Sequence, residues 1–321
     1  MSARSALRRA GQAGLAVVGI IIITFILVHA APGDPAVALA GEGADPAHLD
    51  SLRAKFGLDR PLPQQFITYA GNLVRGDLGT SLVRGRPVAE VIGERLPPTL
   101  LLMGTALALS SLVGVALGAL AARRPYRAFD LTLTTTGLVG YATPAFWLAQ
   151  LAVLTLGLRA GLFPVQGMTD ARAENAGVAH VLDVAHHLFL PAMVLAFSEI
   201  AIVARLARAN LSRVLDQDYV RTARAGGVGT ERVLSHHALR NALLPVVTVI
   251  GARIGTLFSG AVLVETVFAW PGLGQLLITS TRTRDYPVLL ALVLLVSVSV
   301  VVANLVTDLV CARIDPRIRD G

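Results

Sequence analysis

Five charged side chains lie in runs otherwise apolar enough to cross a bilayer: Glu199, Arg205, Arg253, Glu265 and Asp308. A charge at mid-bilayer costs roughly 2.5–3.5 kcal/mol even on insertion scales, so each needs a partner, a cap or a polar lining. Asp308, like Arg205, lies close to a span end, where snorkelling or capping suffices. Glu265 precedes an aromatic-Pro-Gly turn and reads as a structural hydrogen-bond acceptor. Glu199 and Arg253 are deeper, each about eleven residues from a membrane face. They either pair across facing helices or line a polar pathway, with or without pairing.

Other chemistry is sparse. Lys55 is the only lysine, and it stands in Arg53-Ala-Lys-Phe56 with no glycine cradle. A Walker A loop needs a lysine after its final glycine to neutralise nucleotide phosphates. The chain therefore reads as a non-catalytic subunit, and any ATP is bound and hydrolysed by another. No Gly-x-Ser-x-Gly elbow or Ser/His/Asp order argues for catalysis. His180, His186 and His187 are placed in one exterior loop, and His236 and His237 in a polar segment. Adjacent helical histidines diverge by about 100° and rarely share an ion, so neither a metal nor a cofactor is expected. The single cysteine, Cys311, excludes an intrachain disulfide and a cysteine-based metal cluster.

The elements that must position these groups are membrane helices. Of the 321 residues, 54% are apolar and 15% charged, where a soluble protein carries about a quarter charged residues. Apolar runs of roughly 18 residues or more recur, each long enough for about 30 Å of hydrocarbon. The fold class is an all-α polytopic membrane protein rather than an unusually apolar soluble one. Six spans are expected, at about Gly14–Ala31, Leu100–Ala122, Leu131–Leu158, Leu188–Leu206, Ala242–Phe268 and Val288–Val310. The first could also be read as a signal peptide after Arg8 and Arg9, but its apolar stretch is near full spanning length.

The net charge of +7 is nearly all arginine. On a soluble domain it would point to nucleic acid; here the arginines cluster at span ends, where they set orientation. With the N-terminus inside, the short cytoplasmic segments hold Arg4, Arg8, Arg9, then Arg123, Arg124, Arg127, then a polar hinge, and finally Arg313, Arg317, Arg319. Both termini are thus expected in the cytoplasm. The organisation is a cytoplasmic N-terminus (1–12), a first helix (14–31), an extracytoplasmic loop (32–98), a five-helix core (100–310) with a cytoplasmic loop at 212–241, and a cytoplasmic tail (311–321).

The long exterior loop predicts three short amphipathic helices. Asp45 can N-cap one that has Pro46 at its first position and ends at Gly57; Phe66, Tyr69 and Leu73 mark a second before Gly76; Val88, Val91 and Ile92 mark a third ending before Pro97. They either pack on the outer ends of the spans or meet an extracytoplasmic partner.

The hinge holds Asp218, Tyr219, Arg221, Thr222, Ala223, Arg224, Gly227, His237 and Arg240. Val214 through Ala225 is expected to form one helix, broken by Gly226-Gly-Val-Gly229, since glycine supplies the φ > 0 positions a reversal needs. Thr230 is expected to N-cap a second helix, Glu231–Asn241, with Pro245 following. Two short helices at an angle make a rigid knob that can transmit a push; an ordinary basic loop is the bland alternative.

The hinge resembles the cytoplasmic loop by which permease subunits of ABC importers engage their ATPases, and more narrowly that of the dipeptide/oligopeptide/nickel permease group. Arg221-Thr-Ala223, Gly227 and His237-Ala-Leu-Arg240 fall on that pattern, and Gly226 stands where the group commonly has lysine. Pro32-Gly-Asp-Pro35, Phe56-Gly-Leu-Asp-Arg-Pro61, Arg75-Gly-Asp-Leu-Gly-Thr-Ser81, Thr143-Pro-Ala-Phe-Trp147, Phe163-Pro164, the Val264 to Gly274 stretch, Asp285-Tyr-Pro287 and Asp315-Pro-Arg317 extend the resemblance over nearly the whole chain. It implies the type I ABC importer permease fold with six transmembrane helices in a bacterial or archaeal inner membrane. It also implies a homologous second permease, two cytoplasmic ATPase subunits or one fused pair, and an extracytoplasmic binding protein. The favoured cargo is a di- or oligopeptide; nickel or metal chelates and glutathione-type peptides are alternatives within the group. An ion-gradient-driven secondary transporter is the different-class alternative, but no convincing internal repeat is seen. A membrane enzyme or assembly scaffold is a further one.

Overall fold

The computed structural model describes residues 3–30, 34–40, 44–123, 125, 127–170, 172–173, 176–229, 232–233 and 238–314. Among these, regular structure is helical. In chain order the helices are α1 (Ala3–Ala30), α2 (Pro35–Ala40), α3 (Pro46–Phe56), α4 (Leu62–Val74), α5 (Val88–Arg123), α6 (Ala128–Ala142) and α7 (Ala145–Ala152, widening into a π-helix over Val153–Arg159). Then come α8 (Val178–Leu215), α9 (Asp218–Ala225), α10 (Leu239–Ala252), α11 (Ile254–Val267), α12 (Leu273–Thr283) and α13 (Tyr286–Ile314). The chain divides into two compact units, Met1–Thr99 with Pro271–Val301 and Leu100–Trp270 with Val302–Gly321.

Three described helices are long and apolar enough to cross a membrane: Val88–Arg123, Val178–Leu215 and the Tyr286–Thr307 part of α13. Two bent pairs bring the number to five if each is one span, and Gly14–Leu27 of α1 is a shorter apolar helix at the place of the expected first span. The bends have local causes. Between α6 and α7 the chain turns by 100° because Pro144 forces Thr143 out of the helical region, to φ −83° and ψ 123°. Between α10 and α11 it turns by 51° at Arg253. The spans expected over Leu131–Leu158 and Ala242–Phe268 are each broken by a bend.

In the first unit, α3 follows its sequence signals. Asp45 Oδ1 accepts from the Ala47 N–H at 3.3 Å, Pro46 opens the helix, and Gly57 closes it in the left-handed region. The Asp34 carboxylate accepts from Arg53 Nε at 2.9 Å and from the Ala36 N–H at 2.8 Å. Burial works to raise its pKa, but those bonds and the charges of Arg53 and Arg284 outweigh it and hold the carboxyl below its ordinary value. Phe25 of α1 stacks on His29 and meets Phe66 and Tyr69 of α4, with ring centroids 5.2 and 6.0 Å away.

Two sequence landmarks 204 residues apart also meet here: Ser81 Oγ donates to Asp285 Oδ2, and the Leu82 N–H donates to Asp285 Oδ1 at 3.0 Å. Both Ser81 and Asp285 are buried. The third short helix expected before Pro97 is not separate. It runs on as α5 through Pro97 and Pro98. A proline costs its own N–H bond and crowds the preceding turn, but its φ is already helical, so apolar packing on either side carries the helix past the pair.

The second unit packs α6, α7, α10 and α11 against α8. Its core includes Leu102, Leu195, Leu257, Val264 and Trp270, all nearly or wholly buried. α5 approaches α8 closely through Gly114 and Gly118, a Gly-x-x-x-Gly pair of the kind that lets membrane helices touch backbone to backbone. A Cβ on Gly118 would lie 2.5 Å from the Ala204 carbonyl oxygen, whereas one on Gly104 of the same helix would meet nothing within 4 Å. Gly118→Ala is accordingly expected to lower the thermal midpoint of the detergent-solubilised protein, by about 1–3 kcal/mol of overpacking. Gly104→Ala should leave the midpoint unchanged or raise it slightly, through better helix propensity.

Candidate functional site

The hinge is built on a helix end, a turn and a second helix start. α8 ends at Leu215, and Gln217 is extended at φ −74° and ψ 149°, so α9 begins afresh at Asp218. The single helix expected over Val214–Ala225 is corrected to two. Gln217 turns the chain at its extended backbone and accepts from the Val220 and Arg221 N–H groups. On α9 only Val220 is buried; Asp218, Tyr219, Arg221, Thr222 and Arg224 are exposed and Ala223 is half-buried. One buried valine fixes the helix, and its remaining surface is presented outward. Arg221 and Asp218 stand 3.6 Å apart but are so exposed that their pairing contributes little.

The knob's tip is a Schellman turn. The Gly227 N–H bonds the Arg224 carbonyl at 3.0 Å, and the Val228 N–H bonds the Ala223 carbonyl at 3.1 Å. Gly227 has φ +80°, which an L side chain rarely adopts, while Gly226 has an ordinary φ of −75°. Only one of the two glycines expected to break the helix is thus conformationally required. A side chain at Gly226 would start in normal contact, its Cβ 3.5 Å from the nearest carbonyl oxygens, so this position could hold one.

Past the tip, the Gly229 carbonyl accepts from the Arg232 and Val233 N–H groups, and Val233 is fully buried. Thr230, Glu231, His236 and His237 lie outside the described residues, as does the Arg240 side chain; the cap expected at Thr230 falls there, as do five of the eleven residues of the helix expected over Glu231–Asn241. The Arg240 backbone belongs to α10. Pro245 lies inside that helix rather than after it, a correction: proline removes one ladder bond, and Ala242 and Val246 beside it are buried. The knob is anchored at its base, where Leu211, Ala122, Ala238 and Ala242 form one buried cluster. At its side, Asn241 Nδ2 donates to the Tyr219 hydroxyl at 3.0 Å.

Deeper in the same unit, Glu199 of α8 and Arg253 form a two-point pair. Arg253 Nε donates to Glu199 Oε2 at 2.5 Å and Nη2 to Oε1 at 2.8 Å. The geometry contains the pairing, which both sequence readings allow. Arg253 is the joint between α10 and α11: its N–H bonds the carbonyls of Val249 and Ile250, and its carbonyl accepts from Leu257. A second pair, Arg208 with Asp130, was not anticipated. Asp130 is 2% exposed. Both residues lie just outside the expected span ends, where charge is unremarkable in sequence.

His180, His186 and His187 stand on α8 and not in a loop, because that helix begins at Val178. His187 Nδ1 lies 3.0 Å from Asp183 Oδ1, and His186 Nε2 lies 3.0 Å from the Leu162 carbonyl. Among the described residues no three His, Cys, Asp or Glu side chains are grouped to hold a metal ion.

Residues 114–320 match the model of the binding-protein-dependent transport system inner membrane component, and residues 3–103 match its N-terminal companion. The chain belongs to this family. Similar inner membrane components include the oligopeptide transport system permease protein AppB of Bacillus subtilis, 43% identical over 301 residues and 94% of each chain. Another is the dipeptide transport system permease protein DppB of Escherichia coli, 39% identical over 331 residues and 98% of each chain. A putative peptide permease protein of Brucella suis is 42% identical over 93% of each. Among solved structures, a chain of the inward-facing MetNI methionine ABC transporter aligns with a TM-score of 0.55 at 15% identity, covering 70% of this chain and 96% of that one. That likeness shows the fold: the inner membrane component shares the helical permease architecture of an ABC importer.

Proposed function

We propose that the chain is the permease subunit of an ATP-driven importer of di- or oligopeptides. The observation that carries the docking part is the knob: a helix held by one buried valine, sealed by a glycine turn, with Arg221 and Arg224 exposed. A rigid, shallowly anchored element on the membrane core can move with a partner without unfolding. No lysine in this chain is set for a Walker A loop, so the ATP is hydrolysed by cytoplasmic partners that grip Asp218–Gly227 and the segment through Arg240. In this reading the arginine distribution puts both termini and the knob in the cytoplasm. A second, homologous permease completes the pathway, and an extracytoplasmic binding protein delivers the cargo.

ATP-driven closure of the two ATPases rocks the knobs and turns the pathway outward; hydrolysis resets it. Peptide is the favoured cargo because AppB, DppB and the Brucella suis relative carry that word in their names. The test is uptake of labelled trialanine by the assembled importer in proteoliposomes. Uptake that needs ATP inside and binding protein outside is expected. Uptake by this chain alone, driven by an ion gradient, would overturn the reading.

A further inference from the structure

A peptide reaches the membrane with a carboxylate at one end and an ammonium at the other. The second unit holds one group for each charge. Downstream of the Glu199–Arg253 pair, α11 keeps an exposed face made of Thr256, Ser259, Leu263 and Thr266. The exposed face of α5, by contrast, carries Leu100, Leu112 and Leu120, as a lipid-facing surface should. The three hydroxyls donate to carbonyls of the same helix run, at Arg253, Gly255 and Val262. A row of hydroxyls on the exposed side of a helix gives a polar surface beside the ion pair. The ion pair stands at the N-terminal end of that stripe. The Glu199 side chain is 9% exposed and that of Arg253 27%, so Arg253 is the more exposed member.

We propose that Glu199 and Arg253 are a zwitterion-exchange site that sets specificity for peptides with free termini. Arg253 turns its two donors from Glu199 to the peptide α-carboxylate, a planar acceptor of the same geometry, and Glu199 takes the α-ammonium. No charge is left unpaired during the exchange, which is the condition for moving a zwitterion through a low-dielectric region. When the pathway empties, the pair closes on itself. The inference rests on the peptide reading above.

The experiment compares trialanine, trialanine amide and N-acetyl-trialanine as cargo of the assembled importer in proteoliposomes. Each preference is expressed relative to the unsubstituted complex, so discrimination by the binding protein cancels. The paired variant Arg253→Met with Glu199→Gln removes both charges without stranding either. It is expected to lower the preference for free carboxylate over amide, and for free amine over N-acetyl, by about tenfold each, the worth of a charge-assisted hydrogen bond. Should that variant fail to assemble, Glu199→Gln alone decides the matter, since glutamine still accepts from Arg253. It should lose the amine preference and keep the carboxylate preference. Unchanged preferences in whichever variant assembles would overturn the exchange site while leaving the peptide reading intact. Absence of peptide uptake by the unsubstituted complex would overturn both.

Discussion

Gly227→Val is expected to cut ATP-driven uptake at least about tenfold, while the protein still reaches the membrane. The left-handed backbone at φ +80° is what lets the Val228 N–H reach the Ala223 carbonyl and the Gly227 N–H reach the Arg224 carbonyl. An L side chain there costs roughly 1–2 kcal/mol, and a β-branched one more, which is comparable to the worth of the two bonds that close the turn. The chain therefore relaxes by opening the turn, and the exposed face of α9 would no longer meet the ATPase proposed to grip it in one orientation. Because no atom lies within 4 Å of a Cβ at this position, the loss is one of backbone geometry and not of crowding. The paired control is Gly226→Lys, which should assemble and transport as the parent does, since its φ of −75° suits any residue. Uptake and ATPase coupling, measured side by side in the two variants, check the expectation. Equal coupling in both would remove the turn from the mechanism.

Arg253→Met should be the most damaging single change to stability. It strands the Glu199 carboxylate, 7% exposed, without the two donors that now hold it. Breaking a buried pair from one side costs about 3–5 kcal/mol, because the remaining charge keeps its desolvation penalty. Adding Glu199→Gln to the same protein should restore most of the loss, since no charge then remains to be solvated. Thermal midpoints of the three variants in detergent supply the measurement. A single variant as stable as the double would show that Glu199 is solvated or partnered otherwise.

Much of the fold is legible in the residues. The Asp45 cap with Pro46 and Gly57, the apolar runs, and the reversal at Gly227 each follow from local preferences that tertiary packing does not contradict. What escaped the sequence is what depends on neighbours. The breaks at Thr143 and Arg253 sit inside apolar runs, whose hydropathy is blind to a bend. Arg253, a lone charge within an apolar run, is the joint where the helix changes direction. The Gly118 contact is set by the proximity of Ala204, and the Ser81–Asp285 bond joins landmarks that looked like unrelated turns. Pro97, Pro98 and Pro245 all lie inside helices, where the cost of a lost ladder bond is offset by packing that the sequence does not display. The start of α9 as a helix separate from α8 is not legible in the sequence. The extended conformation of Gln217 is a choice between two locally acceptable backbones, made by the burial of Val220.

The docking claim is tested most directly by a photo-crosslinking phenylalanine placed at the position of Arg224, in the assembled importer within native membranes. Illumination is expected to give an adduct with the ATPase subunit, identified by mass and peptide sequencing. Its yield should change when ATP is added, because the knob moves with its partner. No ATPase adduct from the positions of either Arg224 or Thr222, in an assembly that still hydrolyses ATP in response to binding protein, would contradict the account.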